Sequence, residues 1–93
     1  MVKYMYIVYT KWASLDTSKW DWESMLNQWR KLMEEYKIQL IGLGYPAGMY
    51  DDWVAVYLSD IEPTKFSEFL RTSMTFNGKR YGRTNTTVVV SQD

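Results

Sequence analysis

The chain has no histidine and no cysteine among its 93 residues, and only two prolines and five glycines. Without cysteine there is no disulfide framework, no thiolate metal site and no cysteine nucleophile. Without histidine, the commonest general base and the commonest transition-metal ligand are both missing. A serine or threonine nucleophile would need Lys, Asp or Glu as its base, and nothing in the spacing suggests such a pair. No metal and no cofactor are expected. Charge of one sign is also lacking. Eleven basic and eleven acidic residues cancel, so no long-range field draws the chain to nucleic acid or an anionic membrane. No apolar run reaches the length of a membrane span. The segment Lys3-Tyr4-Met5-Tyr6 leads straight into a strand pattern rather than a signal sequence. The glycine motifs that bind phosphate or dinucleotides do not occur. The expectation is one soluble, cytoplasmic domain spanning residues 1–93, with a modest core that oligomerisation would help to stabilise.

Aromatics are abundant: five Trp, eight Tyr and three Phe. They fall in six segments. Residues 2–10 (VKYMYIVYT) are largely β-branched and aromatic and read as a strand, followed by a loop over 11–17. Ser18 reads as a helix cap, with Asp21 as the carboxylate of a capping box. Trp22, Met25, Leu26, Trp29, Leu32, Met33 and Tyr36 then recur at helical spacing, and Arg30, Lys31, Glu34 and Glu35 take the opposite face. Residues 38–45 and 53–58 read as strands separated by a turn at Asp51-Asp52. Pro63 suits the first turn of a second helix with Phe66, Phe69, Leu70 and Met74 on its apolar stripe. Asn77-Gly78 starts a basic loop, and residues 84–91 form a last strand. Asp16 and Asp60 read as helix-start residues.

The order β-α-β-β-α-β predicts an α+β, ferredoxin-like domain: a four-stranded antiparallel sheet with two helices on one face. Side chains alternate along a strand. A sheet with one wet face should therefore alternate apolar with polar, and these strands are apolar on both sides. The expectation is that the aliphatic set (Met5, Ile7, Val54, Val56, Leu58) packs under the helices. Tyr4, Tyr6, Trp53 and Tyr57 would then face outward, as the wall of a small-molecule site or as an interface. Tyrosine and tryptophan are enriched at interfaces, so the interface reading outweighs the pocket; a barrel would supply both. Trp12 and Trp20 lie off the helix stripe and are candidates to roof a pocket or touch a partner.

The length, element order and two-sided sheet resemble the dimeric α+β barrel superfamily, which includes antibiotic-biosynthesis-type monooxygenases, muconolactone isomerase-like proteins and stress-responsive barrel proteins. The resemblance implies a homodimer paired sheet to sheet. It also implies a small organic ligand between sheet and helices or in the barrel, with cofactor-free oxygenase or isomerase chemistry among the options. Haem-handling members use a histidine, which this chain lacks. No catalytic residue maps onto it. The ligand-binding candidates are Tyr4, Tyr6, Trp53 and Tyr57, with Arg83 or Asn85 orienting a polar end. The alternative is a non-enzymatic oligomerisation or protein-interaction module. A third reading, an aromatic sheet stacking single-stranded RNA, is disfavoured by the zero net charge and by the missing Lys/Arg-Gly-aromatic signature in residues 51–58. The loop Lys79-Arg80-Tyr81-Gly82-Arg83, with Arg71, is the one basic concentration. It reads as a solvated loop before it reads as an anion site.

Overall fold

The computed structural model describes residues 4–13, 21–47, 51–76 and 78–90. The elements are β1 (Tyr4–Trp12), α1 (Trp22–Tyr36), β2 (Ile38–Gly44), β3 (Trp53–Ser59), α2 (Pro63–Ser73), β4 (Thr75–Phe76), β5 (Lys79–Arg80) and β6 (Gly82–Val90). Four of the strands form one sheet in the order β2-β3-β1-β6, antiparallel throughout. The domain is α+β, with a four-stranded antiparallel sheet and two helices, and is compatible with a ferredoxin-like fold. It departs from the six-element expectation by a two-stranded ribbon, β4-β5, between α2 and β6. The signal for that ribbon is Asn-Gly, the strongest short hairpin link. Asn77-Gly78 joins Phe76 to Lys79, and Gly78 takes φ 75°.

β1 runs two residues beyond the expected Thr10. Asp52 is the cause. Its carboxylate accepts the Trp12 backbone N–H at 2.8 Å and meets Lys11 Nζ at 3.4 Å, while the Asp52 N–H donates to Thr10 O at 2.8 Å. On the other side Lys11 and Trp12 pair with Arg83 and Gly82. A backbone N–H that finds an acceptor stays in the ladder.

α1 begins at Trp22, and its cap is Asp21 itself: the carboxylate accepts from Ser24 N at 3.1 Å and Ser24 Oγ at 2.7 Å. These bonds hold the Asp21 carboxyl below its ordinary pKa. Ser18, Asp16 and Trp20, like Val2 and Ser91, lie outside the described residues. α1 ends at Tyr36 and is capped by Lys37, a non-glycine residue in the left-handed region at φ 57°. α2 starts on Pro63 as expected, but its cap position is Glu62, two residues past Asp60.

The face assignment expected from the strands is reversed. Tyr6, Val8, Ala55 and Tyr57 are buried beneath the helices with Ile38, Phe66, Phe69 and Leu70, and Tyr4 packs against this cluster. Met5, Ile7 and Tyr9, with Val54, Val56 and Leu58, point the other way and are only half-buried. The aromatic set fits inside for two reasons. Facing positions interdigitate, since large Tyr6 and Tyr57 sit opposite each other beside the small pair Val8 and Ala55. The rings also meet rings. Tyr6 stacks on Phe66 at 3.8 Å and 4°, and Tyr57 makes edge contacts with Phe66 and Phe69 at 5.5 and 5.8 Å. Such pairs are worth about 0.5–1.5 kcal/mol each beyond the area they bury. The aliphatic set makes no contact of that kind.

Candidate functional site

At the end of the sheet where β1 stops and β3 starts, the helix layer does not close completely on the strands. A cavity of about 50 Å3 remains there. Its walls come from five elements: Val8, Thr10 and Trp12 of β1, Trp22, Met25, Leu26 and Trp29 of α1, Trp53 and Tyr57 of β3, Leu70 and Ser73 of α2, and Thr84 of β6. Met74, the residue after α2, completes it. The alternation of β1 places Val8, Thr10 and Trp12 on the helix side, and the register sets Trp53 beside Thr10. On α1, Trp22 and Trp29 are seven residues apart, two turns along one stripe. All seven residues of that stripe are half-buried and none is fully buried; Trp22, Met25, Leu26 and Trp29 line the cavity, while Leu32, Met33 and Tyr36 pack against the core cluster.

The tryptophans hold one another. Trp12 meets Trp53 at 5.0 Å and 63°, and Trp22 at 5.5 Å and 85°. Trp29 lies 6.3 Å from Trp53 and 6.4 Å from Tyr57. The Trp29–Trp53 pair is tilted at 34°, and the other three are edge contacts, which suit the aromatic quadrupole. Trp29 Nε1 donates to the Tyr57 hydroxyl at 3.2 Å. Burial pushes the Tyr57 pKa up to about 12, the Trp29 bond partly opposing it. The hydroxyl's own hydrogen finds no acceptor among the described residues. At the far end of the covered face, Tyr6 donates to Ile61 O at 2.6 Å and its pKa is also pushed up to about 12, mainly by burial.

The six sequence-predicted ligand residues do not converge. Trp53 and Tyr57 line the cavity. Tyr6 is fully packed in the core, and Tyr4 lies beside it at 5.7 Å, away from the opening. Arg83 and Asn85 pair with Lys11 and Tyr9, so they lie on the opposite face of the sheet. They border a separate open groove with Asp51 and Arg80. Trp12, a candidate roof from the sequence, does line the cavity. Trp22 and Trp29 carry an ordinary core-stripe signal, which hid their role. The usable clue was that two of the stripe's members are the largest side chains available, on a helix with only small and medium neighbours between them.

No carboxylate, lysine or arginine lines the cavity among the described residues, and no group of three acidic side chains gathers elsewhere among them. No described helix is long and apolar enough to cross a membrane. No protein-family model matches the chain, and no curated protein matches it at a significant level.

Proposed function

We propose that the chain is a small-molecule-binding domain whose site is the cavity walled by Trp12, Trp22, Trp29 and Trp53. The observation that supports this is the gathering of four tryptophans and Tyr57 around a space left open between the two layers of the fold. Cores ordinarily pack without such spaces, and aromatic walls with a few polar tips are the usual make-up of a ligand site. Thr10, Ser73, Thr84 and Tyr57 supply those tips. None of them exchanges a proton near neutral pH, so the reading is binding rather than turnover. Titration with tert-butanol, a compact neutral probe, tests it by NMR of the indole N–H signals. Binding at the cavity shifts the signals of Trp12, Trp22, Trp29 and Trp53 saturably and leaves the methyls of Leu32 and Val89 in place. Shifts spread evenly over the chain, or none, overturn the reading.

A second reading rests on the other face. Met5, Ile7, Val54, Val56 and Leu58 form an apolar surface that no described element covers, and exposed apolar patches mark interfaces. The occupant that suits it is a second copy, paired sheet to sheet as in a dimeric α+β barrel. Ile7 and Val56 face each other at its centre. Native mass spectrometry should find a dimer in the unmodified chain and a monomer in Val56→Lys. A chain that is monomeric throughout overturns the reading.

A further inference from the structure

The size of the tryptophan cavity selects among ligands, and the groove beside it adds a second selection. Deepening the binding reading on which it rests, we propose that the site takes a zwitterion: a quaternary ammonium seated among the tryptophans, with an anionic tail on Arg71 and Arg80.

Volume comes first. A cavity of about 50 Å3 is a third of the roughly 150 Å3 in which an engineered apolar cavity holds benzene. A flat ring does not enter without displacing its walls. At about 10–15 Å3 for each water-sized occupant, the space suits a compact group of roughly three to five heavy atoms. A trimethylammonium head has that size. The walls suit its charge as well. Five aromatic side chains line the space, and a desolvated cation is attracted to aromatic faces, those of tryptophan most strongly. A neutral branched alkyl group of the same size would be held as well by leucine and valine, so the aromatic make-up is what favours the cation.

The charge must also be balanced. No carboxylate lines the cavity among the described residues. The adjoining groove of about 240 Å3 shares Leu70, Met74 and Thr84 with the cavity, and its charged residues are Arg71 and Arg80. Neither arginine has a carboxylate within 4.0 Å among the described residues; Arg71 acts on the Glu68 carboxylate only from a greater distance, as one of several cations and donors that lower its pKa. Arg80 Nε donates to Gly82 O at 3.1 Å, which fixes the guanidinium while leaving both terminal amino groups uncommitted. Ser67, Thr84 and Thr86 add hydroxyls. Two guanidinium groups without a close carboxylate repel a simple cation and bind a carboxylate through their planar forks. A ligand carrying both charges, joined by a short chain past Met74, satisfies cavity and groove together.

Three probes separate these elements by titration calorimetry: γ-(trimethylammonio)butanoate, its carbon isostere in which a quaternary carbon replaces the nitrogen, and butyltrimethylammonium, which lacks the carboxylate. The zwitterion should bind about tenfold or more tightly than the isostere. It should exceed butyltrimethylammonium by a similar factor, and the variant carrying Arg71→Gln and Arg80→Gln should erase that second preference alone. Arg71→Gln, at an exposed helix position, should halve the preference on a logarithmic scale if the double variant does not fold. An isostere that binds as well as the zwitterion overturns the cation assignment. Equal binding of butyltrimethylammonium, or an arginine effect that is the same for all three probes, overturns the anion assignment. If tert-butanol shifts the tryptophan signals but no charged probe binds, the zwitterion proposal fails and the cavity reading stands. If neither binds, both fail.

Discussion

The two faces of this sheet are nearly equal in hydrophobicity and opposite in fate. Along β1, Tyr6 and Val8 are sealed under the helices while Ile7, between them, has no described element over it. Along β3, Ala55 and Tyr57 are sealed while Val54, Val56 and Leu58 are not. Transfer free energy cannot choose between such sets, because burying a Tyr and burying an Ile are worth similar amounts on an area scale. The choice falls to geometry and to polar tips. The covered face offers Phe66 and Phe69 as stacking partners and Ile61 O as an acceptor for the Tyr6 hydroxyl. A buried tyrosine needs such a partner, and an isoleucine does not.

The sharpest test of that difference uses adjacent residues. Tyr6→Ala removes a fully buried ring stacked on Phe66 and should cost about 3–5 kcal/mol. Ile7→Ala, one residue along, should cost about 1 kcal/mol or less when measured by urea unfolding at protein concentrations low enough to keep the chain monomeric. Similar costs for the two would mean that the faces are not distinct, or that the open face is covered even in dilute protein.

A smaller effect comes from the end of the covered face that carries the cavity. Asp52→Ala leaves the Trp12 backbone N–H without its 2.8 Å acceptor and should cost about 1–3 kcal/mol. It should also broaden or shift the Trp12, Trp22 and Trp53 indole signals, since Trp12 would no longer be held against its neighbours. The core aromatics Tyr6 and Phe66, at the other end, should be unmoved. Retained tryptophan signals would show that the rings hold one another without the carboxylate.

The covered face also answers to alkali. Tyr6 and Tyr57 have folded pKa values raised from 10.0 to about 12. A raised value means that the folded state keeps a proton the unfolded state releases. Stability from this source is therefore complete below pH 10 and is lost as the pH rises from 10 toward 12. Unfolding midpoints should fall across that interval, with Tyr6→Phe and Tyr57→Phe each flattening the fall. The phenolate absorbance of the native protein should show two tyrosines ionising last. An unfolding midpoint independent of pH across that window would refute the burial of both hydroxyls.

Much of this organisation was legible in the sequence. The α1 stripe, the Pro63 start of α2 and the four long strands follow from periodicity and from proline chemistry, which act locally. The choice of face was not legible, because alternation says which residues share a side and never which side the helices take. The cavity was only half legible. Trp53 and Tyr57 were identified by their strand, but Trp22 and Trp29 join them only because α1 crosses the sheet where it does. Arg83 and Asn85 were separated from that group by parity, an odd number of residues from the inward-facing Thr84 and Thr86. The extension of β1 depended on a carboxylate forty residues away in the chain, a contact that no local pattern carries.

The smallest expected effect concerns β6, where parity and burial part company. Val88 pairs with Tyr6 and therefore points to the helix side, yet it is 38% exposed, and Val90, beside Tyr4, is 55% exposed. The helices reach over the inner strands and stop short of this edge. Val88→Thr should accordingly change stability by less than about 0.5 kcal/mol, as at an ordinary surface position. The same exchange at Val8, on the same side and 2% exposed, should cost well over 1 kcal/mol, because it buries a hydroxyl among apolar neighbours. A large cost at Val88 would mean that something covers the β6 edge in solution. Helix reach, rather than which way a side chain points, would then cease to explain why only part of the inward face is a core.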